Sequence, residues 1–201
     1  METKLLKFND DYCVELIKKG EVLAFPTETV FGLGVIYDSK DAFNKLCALK
    51  NRVPDKPFTI MVSKKEDISL FVDLDEKMIR LINKFMPGEV TFLFPVKEGI
   101  YPWINLNHKT VGIRISASKD VRNLIEKVGK PMLVTSANLS GEDALLISED
   151  VYDKFKGNIY GIVEGRCESN IASTIVLIDE KLKLIRQGGV LFEDIEKEWN
   201  I

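Results

Sequence analysis

The chain carries one histidine and three cysteines among its 201 residues. His108 sits in a polar stretch, NLNHKT, and reads as a surface residue. That argues against a multi-histidine metal site and against a His-dependent catalytic triad. Cys13, Cys47 and Cys167 are far apart, odd in number and never spaced CxxC, so neither a disulfide scaffold nor a zinc site is expected. No apolar run approaches the roughly 20 residues needed to cross a bilayer. Met1 is followed by Glu-Thr-Lys rather than by a basic and then apolar leader, and the expected location is the cytoplasm. Net charge is also scarce, with 28 basic and 31 acidic residues giving −3. Bulk nucleic-acid binding through a global positive field is therefore disfavoured, although a local basic cleft stays open. There is no GxxxxGK[ST] phosphate loop, and the GLG at 32–34 lacks the third glycine of a dinucleotide fingerprint.

What is present is an alternation of strand and helix signals on a 45% hydrophobic chain, enough for a full core. KLLKF (4–8), EVLAF (21–25), FTIMV (58–62), VTFLFPV (90–96), TVGIRI (110–115), MLVTSA (132–137) and IYGIVEG (159–165) read as strands. Helices are expected from Asn9 or Asp10 to Gly20, from Ser39, from Asp75 to Pro87-Gly88, over 121–128 with a stop at Gly129, and from Ser148 to Gly157. STIVLID and KLKLIRQ flank Asp179-Glu180 as a hairpin, and a short acidic helix follows. The expectation is one α/β domain over 1–201, core about 4–195, with an open sheet of mixed pairing.

Polar residues cluster at the ends of apolar strands, where open α/β sheets bind ligands. PTET follows EVLAF, TSAN ends MLV, and Arg186 lies near the end of KLKLIR. Arg114 sits between Ile113 and Ile115 in a strand whose opposite face is apolar, so it points into solvent or into a site. ALKNRVPDKPFTIMV (48–62) adds Lys50, Arg52 and Lys56 on a crossing stiffened by Pro54 and Pro57. Each cation alone reads as a solvated charge, and Ser136 and Asn138 alone as turn residues. Together, without acid–base histidines, they suggest a site that binds anions.

The ordered blocks FPTETVFGLG, ALKNRVPDKPFTIMV, MPGEVTFLFP, TVGIRIS, VTSANLSGE, ASTIVLI and IRQGG closely resemble the YrdC/TsaC family over about residues 4–195. Its KxR signature corresponds to Lys50-Asn51-Arg52 and its SxN signature to Ser136-Ala137-Asn138. The resemblance implies a twisted mixed sheet around a positively lined cavity. It also implies a threonylcarbamoyl-AMP synthase of the short form, making threonylcarbamoyl-AMP and pyrophosphate from L-threonine, bicarbonate or CO2, and ATP. This is the first step towards N6-threonylcarbamoyladenosine on tRNA. Mg2+ would arrive with ATP, without dedicated protein ligands. A downstream threonylcarbamoyl transferase complex would take the product, and neither a membrane nor direct tRNA binding is required.

By the same resemblance, Lys50, Arg52, Ser136 and Asn138 are the candidate catalytic residues. Thr27, Arg114 and Ser173 would bind L-threonine. Lys50, Arg52, Thr110, Ser136, Asn138 and Arg186 would bind ATP. The chain departs from the family pattern at Ser116, where proline is usual, at Met61, in the lead-in GRCESNIAST, and in the loop after SGE. Two other readings stay open: a paralogue acting on another carbamoyl or acyl adenylate, and a double-stranded RNA-binding module. What separates them is whether positive charge fills a small-molecule cavity or spreads along an outer groove.

Overall fold

The computed structural model describes residues 1–51 and 57–201. In chain order the elements are β1 (Lys4–Leu6), α1 (Asp11–Lys18), β2 (Leu23–Phe25), β3 (Gly32–Ile36), α2 (Lys40–Leu49), β4 (Thr59–Met61), α3 (Glu76–Phe85) and β5 (Val90–Pro95). They continue with α4 (Pro102–Asn105), β6 (Thr110–Arg114), α5 (Lys119–Val128), β7 (Met132–Ser136), α6 (Ser148–Phe155), β8 (Gly161–Val163), β9 (Thr174–Leu177), β10 (Lys183–Arg186) and α7 (Phe192–Trp199). All strands join one ten-stranded sheet in the order β1-β8-β2-β3-β7-β4-β6-β5-β9-β10. Pairing is mixed as expected: β1/β8, β2/β8, β4/β6 and β5/β9 are parallel, the remainder antiparallel.

Local chemistry sets the helix ends. Ser39 Oγ accepts from the Ala42 N–H and Asp75 Oδ1 from the Met78 N–H, each satisfying a first-turn donor. Gly129 closes α5 at φ 78°, a conformation that costs glycine nothing. Two expectations fail. Asp10 precedes α1, but its carboxylate accepts from the Lys7 N–H instead of capping the helix. Ser148 lies inside α6, and its hydroxyl serves Glu149 and the Gly165 N–H across the sheet connection.

GLGVI forms β3, a strand that periodicity did not single out. A side chain at Gly34 would place Cβ 2.7 Å from the Phe25 ring and 2.6 Å from Met132 Cε. The missing side chain is what lets Phe25 lie fully buried across β3, contributing about 2–3 kcal/mol of apolar burial. Helix α1 packs on β2, β3, β8 and α5, α2 on β3, α6 on β8, and α3 on α7. Among the described residues no helix is long and apolar enough to cross a membrane.

Candidate active site

The sheet register lays out the site. Met61 on β4 pairs with Arg114 on β6; Thr91 on β5 pairs with Ile175 on β9, which pairs with Arg186 on β10. These side chains border a cavity of about 790 Å3, which Thr27 and Thr29 of PTET, the end of β7, and Glu142, Asp143, Ala144 and Leu146 also line. Thr27, Arg114, Ser136, Asn138, Ser173 and Arg186 are all brought to it. Thr110 is not. It opens β6 opposite Pro95, four residues before Arg114, and about 3.3 Å per residue puts the two about 13 Å apart. Arg52 and Lys56 lie outside the described residues.

Around the SxN turn, Lys50 follows α2 with its side chain buried. Its ammonium donates to Ser136 O at 2.6 Å, to Asn138 O at 2.8 Å and to Asn138 Oδ1 at 2.8 Å. Ser136 Oγ donates to the same Oδ1 at 2.6 Å, and Asn138 Nδ2 to Glu142 O at 2.6 Å. Backbone bonds from Ala137 N to Phe31 O and from Leu145 N to Ala137 O tie the turn to the sheet. Ser136 and Asn138 face the cavity, whereas Lys50 lies behind them as the brace of the turn.

The PTET loop forms a second unit. The Thr27 hydroxyl donates to Val30 O and accepts from the Thr29 N–H and the Thr29 hydroxyl, so its bonding capacity is used within the loop. Glu28 is buried and was not among the expected site residues. Its Oε1 accepts from Arg114 Nη2 at 2.7 Å and from the Ala117 N–H at 2.8 Å, and its Oε2 from the Ser116 hydroxyl. Burial pushes the Glu28 carboxyl up, but the Arg114 guanidinium and these donors outweigh it and hold it below its ordinary value. Arg114 also donates from Nη2 to Thr29 Oγ1 at 3.1 Å and from Nε to Gly88 O at 3.3 Å. The available signal was a basic residue inside an apolar strand and an acidic one in a short polar step between two apolar runs, since charges so buried are normally paired.

The third unit joins ASTI to IRQGG. Arg186 grips Ser173 O through Nε (3.0 Å) and Nη2 (2.8 Å), with Nη2 also 3.2 Å from Ser173 Oγ. Ser173 Oγ lies 2.9 Å from Thr91 Oγ1. The grip depends on a close backbone approach, because a Cβ on Gly188 would lie 2.2 Å from Ala172 O. Burial, and then the like charge of Arg114, lower the pKa of Arg186, so the two guanidiniums press on each other across one cavity. An anion between them relieves that repulsion. The lining is not uniformly positive, however. Glu142 and Asp143 stand on the loop side, and Glu142 is paired with Lys154 at 2.7 Å.

A protein-family profile described as telomere recombination (Sua5, YciO and YrdC) matches residues 15–188. The chain is 36% identical over 188 residues to the threonylcarbamoyl-AMP synthase of Bacillus subtilis (strain 168), covering 90% of this chain and 54% of that protein. P. abyssi Sua5, solved in complex with L-threonine, superposes with a TM-score of 0.90 at 28% identity, over 98% of this chain and 59% of that one. The chain thus spans about half the length of these relatives. E. coli YciO shares the fold at a TM-score of 0.85 and 24% identity, over 92% and 91% of the two chains. The profile match, which spans residues 15–188, shows that the chain belongs to the Sua5/YciO/YrdC family.

Proposed function

We propose that this chain is an L-threonylcarbamoyladenylate synthase. The observation that carries the reading is the pair of pinned guanidiniums, Arg114 and Arg186, lining one cavity of about 790 Å3, within the usual size range of small-molecule sites. Placing these cations inside a cavity, rather than along an outer groove, favours small anionic substrates over a duplex. The Bacillus subtilis relative bears the name of this activity, and P. abyssi Sua5 has been solved with L-threonine.

The amine of L-threonine combines with CO2 to give a carbamate, losing one proton. A carbamate oxygen then attacks the α-phosphorus of ATP; the new P–O bond forms as the bond to pyrophosphate breaks. Nucleophile and electrophile are both anionic, so the barrier falls chiefly through fixed positive charge and positioning. Arg114 and Ser173 would hold threonine, with Thr27 shaping the wall through its methyl group. Ser136, Asn138 and Arg186 would bind the nucleotide, and Arg52 its phosphates. Lys50 would keep the SxN turn in place. Mg2+ would come bound to the triphosphate of ATP. The product is a reactive mixed anhydride, to be passed to a threonylcarbamoyl transferase acting on tRNA.

The test is pyrophosphate release from ATP and bicarbonate, with and without L-threonine, alongside mass detection of the adenylate. Release that requires both threonine and bicarbonate is the expected result. Release that ignores threonine, or needs a different amine, overturns the assignment.

A further inference from the structure

We infer that Glu28, held by Ser116, is a positioning residue that fixes how Arg114 meets the substrate anion. A guanidinium has five N–H protons. Both Nη2 protons have acceptors, Glu28 Oε1 and Thr29 Oγ1, and the Nε proton goes to Gly88 O. Nη1 is the nitrogen left without a partner among the described residues. The two-pronged grip that arginine usually offers a carboxylate is therefore closed, because each fork of that grip needs Nη2 or Nε. Arg114 can approach a carboxylate only through one nitrogen, Nη1.

Glu28 is in turn held from behind. Ser116, with no solvent exposure, donates its hydroxyl to Oε2 and accepts from the Ser118 N–H at 3.2 Å. Ser118 caps α5, and Arg122 on that helix donates to Ser116 O at 2.6 Å. A continuous set of bonds thus runs from the N-terminus of α5 through Ser116 and Glu28 to Arg114. Proline, which the family resemblance leads one to expect at 116, offers no hydroxyl. In this chain the orientation of the guanidinium is set by a bond that a proline at 116 could not make.

Naming L-threonine as the anion rests on the function proposed above, so the experiment has two readouts. The first is the Arg114 Nε–Hε signal in 15N-labelled protein, compared between wild type, Ser116→Ala and Glu28→Gln. The expected result is a signal that broadens and exchanges faster with water in both variants. The second is steady-state kinetics. Losing a hydrogen bond to a charged group corresponds to about 10–100-fold in affinity, so Glu28→Gln should raise the KM for L-threonine in that range. Ser116→Ala, acting one bond further away, should raise it about 3–10-fold. In both, the KM for ATP and kcat should stay within about twofold, because what is lost is ground-state positioning. If Glu28→Gln does not fold, Ser116→Ala decides alone. A folded Ser116→Ala protein with the wild-type Arg114 signal overturns the inference. If wild type shows no threonine-dependent turnover, the function fails while the arginine signal still tests the positioning.

Discussion

Replacing Lys50 with methionine keeps an unbranched stem of matching length and removes the ammonium. Three acceptors on the SxN turn then lose a charged donor: Ser136 O and Asn138 Oδ1 keep the Asn138 N–H and the Ser136 hydroxyl, while Asn138 O is left without its bond. Hydrogen bonds from a charged donor contribute about 1.5–3 kcal/mol each, and an acceptor stranded in a dry site costs about 1–3 kcal/mol. The turn borders a cavity open to water, so part of that loss is recovered by solvation. We expect about 2–3 kcal/mol of destabilisation, which for a domain of this size lowers Tm by about 4–12 °C. The damage should be local. Hydrogen exchange should accelerate at Asn138 and Ser140, whose amides donate to Ser136 O and Lys50 O, while β5 and β6 keep wild-type protection. Adenylate formation should fall at least about 100-fold because Ser136 and Asn138 lose their fixed geometry. Unchanged exchange across 136–142 together with lost activity would refute the bracing argument and return Lys50 to direct phosphate contact.

Pyrophosphate should stabilise the protein, since its charge offsets the positive charge of Arg186 in the cavity; at 100 times Kd the gain is about 2.7 kcal/mol, and Arg186→Ala should reduce it in a thermal-shift titration. For Glu28 the folded pKa lies below the ordinary 4.5, so the unfolded chain protonates first as the pH falls. Its contribution is complete above 4.5 and is lost as the pH drops through the lower folded value. Urea unfolding between pH 7 and pH 3 should therefore show a steeper acid loss in wild type than in Glu28→Gln; parallel curves would contradict it. Gly188→Ala forces a methyl against Ala172 O and should cost at least about 1–3 kcal/mol in denaturant unfolding, with no loss meaning that the ASTI–IRQGG contact is looser than described. The Cys13 thiol, pushed up to about 11 chiefly by burial, should stay inert to a disulfide reagent at pH 8 until the protein unfolds.

Features decided within a few residues were readable in advance. Ser39, Asp75 and Gly129 end helices as their side chains dictate, and the β9–β10 hairpin turns at Asp179-Glu180. β3 was not, because its glycines are explained by the Phe25 ring lying over them. Strand order was equally hidden, since β4 sits between β7 and β6, partners distant in sequence. At the site, motif resemblance brought forward six residues that do line one cavity, yet it also brought Thr110, which strand geometry carries to the far end of β6. Glu28 escaped notice because its significance lies in Ser116 and Arg114, more than 80 positions away. Lys50 was legible as a cation, while the acceptors it serves were not.

The bonds that build the site also fix when it can exist. Glu28 closes on Arg114 across 86 positions, Lys50 on Ser136 across 86, and Thr91 on Ser173 across 82. These spans overlap like interlocked rings: each begins before the previous one has ended, so no short stretch of chain contains even one complete unit. Closing loops of this length is entropically costly and makes folding slow. During synthesis the three closures become possible only in order, as Arg114, then Ser136, then Ser173 emerge, and Arg186 arrives after them all. A chain stopped before Arg186 would have most of its core and no finished cavity, so a complete cavity certifies that the sequence through β10 has been made and folded.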